Sequence, residues 1–256
     1  MLKMFDVNTA IGHWPFRRLT RNTLPELKDH LQSFGITHAA VTHNHAACYQ
    51  NCHDANIELF EALSNDKSGF FVGIATINPT YAAWQRDLEC CVKKFDFRGV
   101  RILPKYHNYR INSRDCWELC DEAAKYQLPV IIPNELVNCR QRFWMEPDEA
   151  LGAGSIEMTA RRFPDTTFIG METAFPENSN PPKNLYVEMS RFLSCYGRKL
   201  NKYIVSAGAD HVLFGSGAPF KEIEPALLKL HHTELSEADR ELISHKNAEK
   251  LFKLQS

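Results

Sequence analysis

The sequence contains no apolar run approaching the ~20 residues that a membrane-spanning helix needs. Its first residues, Met-Leu-Lys-Met-Phe-Asp, lack the apolar stretch and small-residue cleavage site of a secretory leader. Net charge is also small. It is −1, and like charges never run beyond a few residues, so neither nucleic acid nor a membrane is an expected partner. No Pro-, Gly- or Ser-rich shift marks a linker. No Gly-x-Gly-x-x-Gly follows the first apolar run, which argues against the dinucleotide-binding form of an open sheet. Together these absences predict one cytoplasmic domain over residues 1–256.

With 44% hydrophobic residues in 256, the chain can bury a core without cross-links. The eight cysteines, Cys48, Cys52, Cys90, Cys91, Cys116, Cys120, Cys139 and Cys195, therefore read as reduced thiols rather than a disulfide framework. Short apolar runs recur at 4–7, 37–42, 70–77, 99–103, 129–132, 167–171, 185–188 and 212–214, and most are followed by an amphipathic stretch. Most steps are about 30 residues, the length of a βαβ unit. Continuous apolar strands suit a parallel sheet covered on its outer face. Eight units in this length predict an α/β fold, a single (β/α)8 TIM barrel. Its sixth helix should be short or missing, because 172–183 is rich in Pro and Asn. Two helix starts carry a capping-box pattern, Thr23-Leu-Pro-Glu26 and Ser236-x-x-Asp239.

In such barrels the chemistry sits on loops after the C-terminal strand ends. The first strand end presents Asn8, His13 and Arg17; the second presents His43, His45, Cys48, Cys52 and His53. Asn78 follows the third. Arg98-Gly-Val-Arg-Ile-Leu-Pro-Lys-Tyr-His-Asn-Tyr109 places Lys105, His107 and Tyr109 after the fourth, with Arg101 inside the strand. Asn134, Glu135, Arg140 and Arg142 follow the fifth, Glu172 the sixth, Glu188 the seventh and Ser216 the eighth.

Several segments resemble one family. They are Asp6-Val-Asn-x-x-x-Gly12, Gly99-Val-Arg-Ile-Leu-Pro104, Leu128-Pro-Val130, Val212-Leu-Phe-Gly-Ser-Gly-Ala-Pro219 and Asn247-Ala-x-x-Leu-Phe252. In this order they resemble the amidohydrolase superfamily, specifically its amidohydrolase-2 branch of metal-dependent hydrolases and decarboxylases. The resemblance implies a hydrolase acting on a small, anionic metabolite at the barrel mouth. A decarboxylase or other lyase is the alternative, and a barrel that only binds a ligand or protein is a third. Barrels of this kind often pair, so a homodimer is an open expectation.

The family's usual metal ligands are a His-x-His after strand one, a His after strand five, often a His after strand six, and an Asp after strand eight. Here those slots hold Asn8 and Ala10, then Pro133 beside Asn134, then Glu172, then Gly217. Two amides and a carboxylate suit zinc poorly, so no metal is expected at the usual slots. A relocated divalent metal at His43, His45, Cys48 and Cys52 is the alternative, against a His-rich rim with ordinary thiols. Without the metal, His107, Glu172, His43 and His45 are the candidate acids and bases. Asn8, His13, Arg17, Arg101, Lys105, Tyr109, Asn134 and Ser216 are the candidate substrate contacts. Arg101 has a competing structural role, an internal ion pair with Asp6.

Overall fold

A computed structural model describes residues 2–138, 140–147, 150–193 and 198–254. Cys139 and Cys195 lie outside the described residues. The strands are β1 (Phe5–Ile11), β2 (His38–His43), β3 (Phe71–Gly73), β4 (Ala75–Thr76), β5 (Val100–Arg101), β6 (Val130–Pro133), β7 (Phe168–Met171), β8 (Leu185–Glu188) and β9 (Val212–Leu213). They form two parallel sheets, β1-β2-β3 and β4 through β9. β3 and β4 are one stave interrupted at Ile74, so nine segments make eight staves.

Backbone hydrogen bonds join the two sheets into a ring. The Ile74 amide donates to the Val41 carbonyl and the Ala75 amide to Gly99, each at 3.0 Å. On the other edge the Val7 amide donates to Phe214, Ala10 to Ala218 and Gly217 to Asn8, all at 3.0 Å. The barrel is thereby closed. A register shift between Asp6 and Thr9 in the β1–β2 pairing bulges β1 where it reaches the mouth.

Helices α1 (Leu24–Ser33), α2 (Cys52–Ser64), α3 (Trp84–Lys93), α4 (Arg114–Lys125), α5 (Ala153–Arg162) and α6 (Lys199–Ala207) cover the staves. They are followed by α7 (Glu224–His232), α8 (Glu237–Glu241), a π-helical turn (Leu242–Lys246) and α9 (Asn247–Leu251). No helix lies between β7 and β8, where Pro176, Pro181 and Pro182 remove the amides that a helix would need. No helix among the described residues is long and apolar enough to cross a membrane. Ser236 caps α8 as its spacing implies, accepting from the Asp239 amide at 3.1 Å. Thr23 does not cap α1 in that way. Its hydroxyl donates to the Glu26 carboxylate at 2.8 Å instead of accepting from an amide.

Apolar burial is layered along the barrel axis. Phe252 stacks on Phe5 with ring centroids 5.5 Å apart, and it belongs to the interior cluster with Val7, Val72, Ile131, Ile169 and Leu213. A larger cluster fills the space between staves and helices. Trp14, Leu19, Leu103 and Val137, with Phe16, Tyr106, Leu136 and Phe220 against them, form a separate cluster beside the mouth. Each large side chain fully removed from water contributes about 2–3 kcal/mol. The buried members Trp14, Leu19, Leu103 and Val137 anchor that cluster, while Leu136 and Phe220 are only partly buried at its edge.

Candidate active site

The mouth holds a cavity of about 30 Å³, lined by Asn8, Thr42, Arg101, Leu136, Glu172 and Phe220 among others. That is room for about two waters. Arg101 is 5% exposed and has neutral partners only. Its Nε donates to Thr76 Oγ1 (3.1 Å), Nη1 to Thr42 Oγ1 (2.7 Å) and Nη2 to the His43 carbonyl (2.9 Å). Burial lowers its pKa to about 10, so it stays cationic at neutral pH. The expected pair with Asp6 does not form. Asp6 Oδ1 instead accepts the amides of Asn8 and Ser216, both at 3.0 Å.

Glu172 faces this cavity and is 5% exposed. Its Oε1 accepts from Asn8 Nδ2 at 2.6 Å; its Oε2 accepts from Arg191 Nε at 2.8 Å and from the Lys221 ammonium. Arg191 also pairs with Glu135. Glu188 lies directly behind, fully buried, with its Oε2 accepting the Glu172 amide (3.3 Å) and the Ser190 hydroxyl (2.8 Å). Burial first, and the Glu172 charge second, raise its pKa to about 7.

These residues do not fit the metal that the family fold implies. Among the described residues Glu172 is the one carboxylate lining the cavity, and both of its oxygens are already held by Asn8, Arg191 and Lys221. Gly217, at the slot of the family's aspartate, has φ +83°, and a Cβ there would meet Lys221 Cδ at 2.8 Å and Glu172 Oε1 at 3.0 Å. The Lys221 stem thus fills the space of a strand-end aspartate, and its ammonium supplies positive charge beside Glu172.

The structure does not bring the sequence candidates together in one pocket. His107 is turned away from the mouth cavity, and its Nε2 donates to the Ala46 carbonyl at 2.8 Å. Lys105 and Tyr109 line an outer groove with Trp117 and Arg162. Asn134 Oδ1 accepts the Gly152 amide at 2.7 Å, tying down the loop after β6. The Ser216 hydroxyl accepts the Ala218 amide at 3.1 Å. Arg17 donates to the Phe220 carbonyl and to Gln141 on the outer rim. Of the candidates, Asn8, Arg101 and Glu172 share the mouth.

His13, His43 and His45 lie elsewhere, on a cleft of about 680 Å³ beside α1. His43 and His45 both meet Glu58 from α2, at 3.4 and 2.7 Å. The expected cysteine partners are not there. Cys52 Sγ is buried on the Thr76 carbonyl at 3.3 Å, and Cys48 is exposed. Sequence reasoning missed Glu58, Lys221 and Arg191. Glu58 reads as a solvent-facing helix residue, and the ion pairs to Glu172 span 19 and 49 positions, which no local spacing reports.

Three comparisons bear on this geometry. A curated gamma-resorcylate decarboxylase from Polaromonas sp. (strain JS666 / ATCC BAA-500) is 45% identical over 51 residues, 20% of this chain; the match covers only 16% of that protein. The 5-carboxyvanillate decarboxylase of Sphingomonas paucimobilis superposes with TM-score 0.79 at 12% identity over 100% of both chains. A dihydroxybenzoic acid decarboxylase from Polaromonas sp. JS666, with bound manganese and 2-nitroresorcinol, gives TM-score 0.71 at 18% identity over 99% of this chain and 98% of that one. At these identities the solved structures establish the shared fold. The amidohydrolase family model matches residues 11–254, nearly the whole barrel, and the chain belongs to the amidohydrolase family, in its amidohydrolase-2 branch.

Proposed function

We propose that the chain is a decarboxylase of a small carboxylate, an aromatic hydroxy acid or a close relative, acting at the barrel mouth. The observation that carries this is Arg101, a buried cation that lines the same cavity as Glu172 and has no acidic partner among the described residues. Three of its N–H donors are taken by neutral acceptors, and the remaining two suit a bidentate carboxylate. The decarboxylases of similar fold and the short, closely matching curated relative support the same reading.

The chemistry needs a proton at the carbon that bears the carboxylate. The Lys221 ammonium, which donates to Glu172 beside the cavity, is the group that delivers it, and Glu188, poised near neutrality, is the reserve behind. Protonation at carbon weakens the C–C bond. That bond breaks, CO2 leaves without the bonding electrons, and those electrons restore the ring. One proton is consumed for each CO2 released, and solvent returns it. Hydrolysis needs an activated water, and among the described residues no histidine lines the mouth cavity to serve as its base. A substrate larger than about two waters enters only when Leu136 and Phe220 move aside.

The test is binding of 2,6-dihydroxybenzoate and 5-carboxyvanillate against their methyl esters, by calorimetry. Arg101→Gln removes a charge-assisted contact of about 2–3 kcal/mol, roughly a 100-fold loss of affinity for the acids. Arg101→Lys keeps the charge and retains part of the binding. Equal affinity for acid and ester, or no effect of Arg101→Gln, would refute the assignment of Arg101.

A further inference from the structure

The cluster beside α1 takes no part in the chemistry at the mouth. We propose that His43, His45 and Glu58 form a binding site for one divalent transition-metal ion of the zinc class, separate from the position the family uses. His43 ends β2, His45 lies in the short 3₁₀ turn Asn44–Ala47, and Glu58 comes from the second turn of α2. One ring nitrogen from each histidine and one oxygen of Glu58 all lie within 4.8 Å of one another. Two imidazoles and a carboxylate are a donor set that zinc accepts with a fourth position open.

The spacing is close to that of a bound ion. Zinc bonds of about 2.0–2.1 Å put tetrahedral ligand atoms about 3.3 Å apart. His43 Nε2 is already 3.4 Å from Glu58 Oε2. His45 Nδ1, at 2.7 Å from the same carboxylate, needs to withdraw by about 0.6 Å, a side-chain adjustment. The Tyr49 hydroxyl donates to Glu58 Oε1 at 2.7 Å and lies 2.8 Å from His45 Nδ1, so it braces two of the ligands and leaves Oε2 to the imidazoles. Such outer contacts orient metal ligands and tune their affinity. The 680 Å³ cleft that His43 and His45 line supplies an entry path, with His13 and Asn22 on its wall.

In the metal-free chain His43 Nδ1 accepts the His45 amide at 3.3 Å, so the ring proton sits on Nε2, facing Glu58. Likewise His45 directs an Nδ1–H at Glu58. The ion displaces both protons from the Glu58 side. Each ring stays neutral and takes its proton on the other nitrogen, so both tautomers switch. The cost is the long amide contact of His43.

The test uses the full chain with zinc alone, then cobalt alone, in equilibrium dialysis with elemental analysis. The expected result is one saturable ion per chain, lost in His45→Ala and in Glu58→Gln, both half-exposed positions, and retained in Cys48→Ala. Tyr49→Phe weakens binding about tenfold. Cobalt gives intense visible bands of a four-coordinate site, and zinc switches both imidazole tautomers in ¹⁵N-resolved spectra of the unmutated chain. The proposal is overturned by no saturable binding, by binding that survives both ligand variants, or by unchanged tautomers at saturating zinc. Carboxylate binding at Arg101 is measured separately and stands or falls without this site.

Discussion

Asp6 has both oxygens out of water and only one of them hydrogen-bonded. Its Oδ1 takes two amides, while Oδ2 is buried with no hydrogen-bond partner. Burial raises its pKa from 3.8 to about 6. Between about pH 4 and 6 the native chain keeps a proton that the unfolded chain has already lost. The stability that Asp6 contributes is therefore full below about pH 4 and lost as pH rises through 6, by about 3 kcal/mol in total. Asp6→Asn should remove this component. Denaturant titrations at pH 4 and pH 7 would show a smaller loss in the variant than in the unmodified chain; equal losses would contradict the account. Glu172 stores strain of a different kind. Its φ of 54° lies in the left-handed region, which costs a non-glycine residue about 1–2 kcal/mol, and the contacts to Asn8, Arg191 and Lys221 offset it.

Elements meet at Glu172 in a way that local pattern does not reveal. It directly follows β7, Arg191 belongs to the short turn after β8, and Lys221 follows β9. Removing one partner of a buried pair is costly because the remaining charge stays buried. Lys221→Met should destabilise by about 2 kcal/mol, less than a full uncompensated charge because Arg191 remains. Glu172→Gln in the same background should recover part of that loss, a coupling readable from a double-mutant cycle. Additive effects would show that the pair is not coupled. Most staves were legible because they are short apolar runs followed by a polar, glycine or proline residue, as at Leu103-Pro104. So was the missing sixth helix, from Pro176, Pro181 and Pro182. Arg101 was legible as a residue inside a strand, yet its partners were not, since Thr42 and Thr76 lie on neighbouring staves. His43 and His45 were legible as a pair, but Glu58 completes the cluster only once α2 is packed against β2.

Across the described residues, the two candidate sites both lie at the C-terminal end of the barrel. Phe252 stacked on Phe5 occupies the opposite end, and the Trp14 cluster covers the mouth. Arg101 links the two places, since its Nη2 holds the carbonyl of His43 while the His43 ring reaches Glu58. On the proposed function, Arg101, Lys221 and Arg191 supply at the mouth the positive charge that a metal would bring, so turnover should be indifferent to chelators. The most direct measurement is CO2 release from 2,6-dihydroxybenzoate and 5-carboxyvanillate by the full chain, with and without prior EDTA treatment, alongside Arg101→Gln. The account predicts release that survives EDTA and is lost in Arg101→Gln; no release from either acid, or release that EDTA abolishes and Arg101→Gln leaves intact, would contradict it.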